Sequence, residues 1–239
     1  MPKRIGIVQH LYAQPLFKGL SDNPIFTTVR DSSTQLAIKL RQKELDGAFL
    51  SPIEYAKDYA MYRIIPKVAA VSEGESNSVI LLFRENLRKI GTVAVNPGSS
   101  SEIVLASIIM AEKYDLRVQL VPFDGSIDRA LTKADAYLAS GDAAIDLRDR
   151  ANKLDLVDEW SDITGLPFVH GIWVSRENAL TPDELKIIIE TGEQRTANNP
   201  QEFWYDLSDE ASTALTEFFR MAYYHGILDD IPDVKFFPL

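Results

Sequence analysis

The sequence predicts an α/β fold of two domains, built from mixed, mostly parallel sheets flanked by helices, with a cleft between the domains. Three observations predict it. Short apolar runs alternate with amphipathic stretches along most of the chain, the pattern of strands crossed over by helices. That pattern halts and restarts near Thr92, so two units are present. Strand-rich passages near residues 79–83 and 171–175 then read as paired hinge strands, by which the chain leaves the first domain, builds the second and returns. The expected division is residues 1–82 with 175–239 in one domain and 83–174 in the other.

In order, residues 5–10 are a short apolar strand, 36–45 carry the three-and-four spacing of an amphipathic helix, and 46–50 form another strand. Ser51 and Pro52 then suit the N-cap and first turn of a helix. Strands follow at 68–71 and 78–83, separated by a polar loop at 72–77. The second unit opens with a strand at 92–95, a polar glycine-containing loop at 96–101 and a helix at 103–114. A strand at 117–122, a helix at 126–133 and a strand at 134–139 complete it, before a turn at Gly141-Asp142. Beyond a strand at 172–175, Thr181-Pro182-Asp183-Glu184 starts a helix running through Glu190. Residues 208–224 form a last helix, with Leu215, Phe218, Phe219 and Ala222 on one face.

The composition narrows the function. A net charge of −10 argues against nucleic acid, whose phosphates need a basic surface. It also means that an anionic ligand must be held by local donors such as the free N–H groups of helix N-termini. Zero cysteines and three dispersed histidines, His10, His170 and His225, remove thiol chemistry and metal-ligand spacing. Neither GxxxxGK nor GxGxxG is present, so no nucleotide loop is expected. No apolar run is long enough to span a membrane, and the basic start leads straight into a strand too short for a secretory signal. A cytoplasmic protein without a metal is the expectation.

The loop Asn96-Pro97-Gly98-Ser99-Ser100-Ser101 follows a strand and opens a helix, and its hydroxyls and N–H groups suit a carboxylate; the alternative is that Ser99 or Ser100 only caps the helix. Ser51 and Ser78 stand at strand ends where a cleft would open, or serve as a cap and a solvated turn. Asp142 reads as a ligand-orienting carboxylate or a cap. His10, at the end of the first strand, is a candidate acid/base or a packing residue. Residues 154–173 set Trp160, Phe168 and Trp173 around His170 and a Gly165-Leu166-Pro167 turn. That stretch looks built to close over a ligand, or else to cap the core.

Six segments in order, spanning roughly residues 4–176, resemble the chorismate dehydratase family of the futalosine route to menaquinone. They are HLYAQPL at 10–16, the passage ending in LDGAFLSPIEYA at 45–56, SEGESNSVILL at 72–82, the strand-loop-helix around Ser99, SGDAAI at 140–145, and DLVDEWSDITGLPFVHGIW at 155–173. The resemblance implies a periplasmic-binding-protein type II-like fold and a lyase that binds chorismate through Ser51, Ser78, Ser99, Ser100, Ser101, Asp142 and His170. It implies dehydration to 3-enolpyruvylbenzoate, with neither metal nor organic cofactor, by a chain that touches neither membrane nor nucleic acid; a homodimer is left open. His10 and Tyr12 would be the catalytic residues. The chain departs from the family at Tyr12, where an asparagine is usual, and at Ser100-Ser101-Glu102, where an Arg-Thr-Ser element is usual. A second reading is a non-catalytic solute-binding protein that captures a small carboxylate in the same cleft.

Overall fold

The computed structural model describes residues 1–98, 100–196 and 203–238. Lys3–Ile7 (β1) buries Ile5 and Ile7 and pairs in parallel with Phe26–Arg30 (β2) and with Gly47–Leu50 (β3). Between β1 and β2 run a 3₁₀ turn at Leu11–Ala13 and a helix at Gln14–Ser21 (α1), where the sequence reading had no element. A helix at Ser33–Arg41 (α2), capped by Ser32, returns the chain to β3, and a short helix at Pro52–Lys57 (α3) leads to Tyr62–Ser72 (β4). The first sheet is completed by a strand from far along the chain, Phe168–Arg176, inserted antiparallel between β3 and β4.

The second sheet takes Val79–Phe83 (β5), Thr92–Val95 (β6), Gln119–Pro122 (β7), Ala136–Ser140 (β8) and Lys153–Asp155 (β9), in the order β7-β6-β8-β5-β9. Its helices are Ser100–Glu112 (α4), Ile127–Lys133 (α5) and Asp142–Ile145 (α6). Leu156–Thr164 (α7) carries the chain back to the returning strand (β10), so the first sheet runs β2-β1-β3-β10-β4. Pro182–Thr196 (α8) and Asp209–Tyr224 (α9) finish the chain. Among the named strands, the parallel pairs are β1–β2, β1–β3, β6–β7 and β6–β8; β5 and β10 run antiparallel to their neighbours.

The passages expected as paired hinge strands do not pair with each other. β5 lies between β8 and β9, and β10 between β3 and β4. Both are buried along almost their whole length, as continuous apolar runs in central strands are. The lobes are instead joined by residues 73–78 and by α7 with its flanks. Asp155 ties the two crossings: its carboxylate accepts the N–H of Asn77 at 2.6 Å while capping α7 through the N–H groups of Val157 and Asp158.

Residues 154–173 are core and not a lid. Trp160 and Phe168 meet edge to face and both pack on Phe218 of α9, while Trp173 packs edge-on against Phe17 and Phe49. Trp160 Nε1 donates to the Pro167 carbonyl at 3.0 Å, so the turn secures the indole. A single core of buried side chains extends through both sheets, with a smaller cluster, including Ile80, Leu82 and Leu147, on the far side of the second.

Candidate functional site

The carboxyl ends of parallel strands from both lobes face one another, the place where open α/β sheets bind ligands. From the first lobe come Gln9, His10 and Tyr12 after β1, Asp31, Ser32 and Ser33 at the start of α2, and Ser51 after β3. The second supplies the 96–98 loop after β6, the first turn of α4, and the Gly141-Asp142 corner after β8. His170 reaches the cleft from the middle of β10.

The lobes touch. A Cβ on Gly98 would lie 3.3 Å from that of Ser32. Gly141 has φ +58° and ψ −131°, a conformation that side chains disfavour, and a Cβ there would collide with the His10 ring. Ser51 Oγ lies 2.9 Å from Ser33 Oγ and 2.7 Å from Ser100 Oγ, so one chain of hydroxyls links the starts of α2, α3 and α4. Ser101 Oγ accepts the Ile53 N–H at 3.1 Å, crossing the same boundary. Ser51 was expected to cap α3 with its side chain; it stands at the N-cap, but its hydroxyl is engaged with Ser33 and Ser100, and the Ile53 N–H goes to Ser101 instead.

Two connected cavities remain between the lobes. The outer, about 290 Å³, is lined by Gln9, His10, Asp31, Ser32, Asn96 and Gly98. Behind it a space of about 10 Å³ is bounded by Tyr12, Ser33, Ser51, Glu102 and His170, with His10 and Gly98 common to both. None of these lining residues is a lysine or arginine, and Asp31 is paired with Lys39 at 2.6 Å. A larger depression of about 850 Å³, lined by Gln14, Lys18, Asp22 and Arg30, opens on the first lobe and shares Val8 and Gln9 with the cleft. It holds no buried polar atom without a partner, so the interlobe cavities are the better candidate.

His170 is 2% exposed; its Nε2 lies 2.7 Å from Ser72 Oγ, and its Nδ1 has no partner. Burial pushes its pKa down to about 3, so the imidazole is neutral at physiological pH. Glu102, 5% exposed in the first turn of α4, is pushed up to about 7 by burial, against the pull of its own backbone N–H. Burial also lowers His10, partly offset by Asp142, and raises the Tyr12 phenol, helped by Glu102 and Asp142. The rings of His10, Tyr12 and Phe203 stack in series at 5.3 and 5.1 Å, with His170 tilted against Tyr12 and Phe203. The inner space is therefore walled by groups that prefer to be uncharged.

Of the residues singled out in the sequence, His10, Tyr12, Ser51 and His170 border the cavities, and Ser100 joins them through Ser51. Ser101 is fully buried behind them. Asp142 is exposed at the corner and acts on His10 and Tyr12 through its charge. Ser78 lies outside both linings: its hydroxyl pairs with Ser76 at 2.6 Å, and its carbonyl accepts the Gly141 N–H at 2.9 Å, which supports the corner. Ser99 lies outside the described residues. Ser33 and Phe203 were missed. Asp31-Ser32-Ser33 ahead of the α2 periodicity was a legible N-cap signal for the first; nothing local marked Phe203.

Two α/β lobes closed over an interlobe cavity define the periplasmic-binding-protein class of folds. The sequence profile described as menaquinone biosynthesis matches residues 3–203, and the chain belongs to that family. Among solved structures it is similar to protein AF1704 from Archaeoglobus fulgidus, with 19% identity over 95% of this chain and 98% of that one and a TM-score of 0.76. It is also similar to the periplasmic aliphatic sulphonate binding protein of Escherichia coli, with 13% identity over 98% and 95% of the two chains and a TM-score of 0.63. The alkanesulfonate-binding protein of Xanthomonas axonopodis pv. citri, solved with MOPS, is 18% identical over 94% and 79%, with a TM-score of 0.60. Among the described residues no helix is long and apolar enough to cross a membrane.

Proposed function

We propose that the cleft binds chorismate and eliminates water from it, giving 3-enolpyruvylbenzoate as a cytoplasmic step of menaquinone biosynthesis. The observation that carries this reading is the His170 Nδ1, buried without a partner beside the interlobe cavity in a chain of the menaquinone biosynthesis family. A buried donor or acceptor left unmade costs about 1–3 kcal/mol, a cost that a bound polar ligand removes. With no cationic side chain among the described residues of the lining, the substrate carboxylates are held by hydroxyls and by N–H groups at the starts of α2 and α4.

The ring hydroxyl and the proton on the adjacent ring carbon leave together as water, and aromatisation drives the step. Neutral His10 takes the ring proton and returns it to the departing hydroxyl, which the neutral Tyr12 phenol orients by a hydrogen bond, so the two leave as water and both side chains end as they began. Closure of Gly98 on Ser32 and of Gly141 on His10 keeps bulk water out. On this reading the domains change over at the crossings, within 73–78 and 156–167.

The alternative is capture without chemistry, favoured by the likeness to sulphonate-binding proteins and by the stacked rings that fill the inner space. Incubation with chorismate, read as loss of its diene absorbance, separates the two. Turnover supports the lyase. A rise in melting temperature without turnover supports the binding protein, and neither response would remove chorismate as the ligand.

A further inference from the structure

The cleft has a feature that elimination does not use. Glu102 projects from the first turn of α4 into the inner space, 5% exposed, where the walls from the other elements are His10, Tyr12, Ser33, Ser51 and His170. A permanent carboxylate there would face a bound acid without an offsetting cation among the described residues, none of whose lining members is a lysine or arginine. The neighbouring groups leave the position electrically quiet. His170 from β10 is neutral, and Tyr12 and His10 from the turn after β1 are held uncharged. Asp142 at the start of α6 is exposed, Asp31 beside α2 is paired with Lys39, and Glu54 of α3 is paired with Lys57 at 3.0 Å. The charges of α7 and α9 meet α4 at its far end, Glu159 and Asp162 through Lys113, and His225 through Glu112.

We propose that Glu102 is a specificity-determining residue of the cleft: as a carboxylic acid it donates a hydrogen bond to an oxygen of the bound carboxylate, and as a carboxylate it repels that ligand. The proposal rests on the reading that the cleft takes a small carboxylate. Two independent features point to it: Glu102 lines the same small space as the His170 ring, whose Nδ1 is buried without a partner, and among the described residues no lysine or arginine lines that space. Burial places the titration of the carboxyl near neutrality. Ligand capture is therefore coupled to the uptake of one proton once Glu102 is ionised in the free protein.

The test is the affinity for chorismate between pH 6.5 and 8.5, measured by calorimetry on the wild type and on Glu102→Gln, whose amide donates at every pH. The substrate carboxylates stay ionised across this range. The wild type should lose about 25-fold in affinity over the range, for one proton with a pKa of about 7. Glu102→Gln should lose little and should bind more tightly than the wild type at pH 8.5. Equal slopes in the two proteins would overturn the proposal and leave the dehydratase reading standing. Failure of chorismate to bind the wild type at any pH would overturn both. Unliganded melting curves show that the variant folds and, between pH 4.5 and 7, give a second reading: over that window its stability relative to the wild type should rise with pH. Parallel curves would mean that the carboxyl is ionised throughout, which also overturns the proposal.

Discussion

The serine seam and the space behind it are neighbours with opposite polar economies. In the seam, Ser33, Ser51 and Ser100 satisfy one another and Ser101 satisfies Ile53, so buried hydroxyls hold two lobes together. Behind it, His170 Nδ1 is buried without a partner, and Glu102 is buried with no lysine or arginine among the described residues around it. Matched groups add modestly to stability, about 1 kcal/mol each, whereas unmatched ones are tolerated at a loss. The difference separates scaffold from candidate site more sharply than residue type does, because serine hydroxyls at the mouth of the cleft also bond to one another and to the facing backbone.

The variant that should disturb both regions most is Gly141→Ala. The backbone there is strained for any side chain, by about 1–3 kcal/mol, and the new methyl meets His10. Denaturant titration should show that loss, and small-angle scattering should show a more open molecule that chorismate no longer closes. A compact, ligand-responsive variant would show that the corner does not control closure.

Ser101→Ala tests the seam. It strands the Ile53 N–H in the interior, so stability should fall by about 1–3 kcal/mol, with the melting shift on adding chorismate unchanged. His170→Gln tests the space behind. The amide still reaches Ser72 while Nδ1 is lost, so stability should stay within about 1 kcal/mol as affinity falls about tenfold. The opposite pattern, stability lost at His170 and affinity lost at Ser101, would reverse the assignment of the two regions.

The fold class was legible because strand and helix periods alternate cleanly from β3 to β8, and the cleft because glycine and serine cluster after strands. What was not legible has physical causes. The 11–35 stretch was read without elements, since β2 is only partly buried and lacks a strong alternation. The hinge was misplaced because continuous apolar runs mark central strands, which join sheets and do not bridge them. The hydroxyls of 100–101 suggested an anion loop, and only the approach of α3 from the other lobe shows what they bond to. Glu102 was visible as a departure from the family pattern; its role depends on being enclosed, which residue order does not display.

The smallest effect expected is a difference near zero, and it joins the two halves of the inner space. Glu102 has a folded pKa of about 7, above its ordinary 4.5, so its protonation stabilises the fold at low pH and that contribution is lost as pH rises through 7. His170 has a folded value of about 3, below its ordinary 6.5, so the neutral ring favours the fold above 6.5 and that contribution is lost as pH falls. Between pH 4.5 and 6.5 the folded protein holds one proton on Glu102, and the unfolded chain holds one on His170. Measured relative to the wild type, Glu102→Gln should therefore gain about 1.4 kcal/mol per pH unit in this window, and His170→Gln should lose the same. In the double variant the two slopes cancel, leaving a constant offset from the wild type. A double variant whose offset still changed with pH would show that another group in the cleft shares the proton.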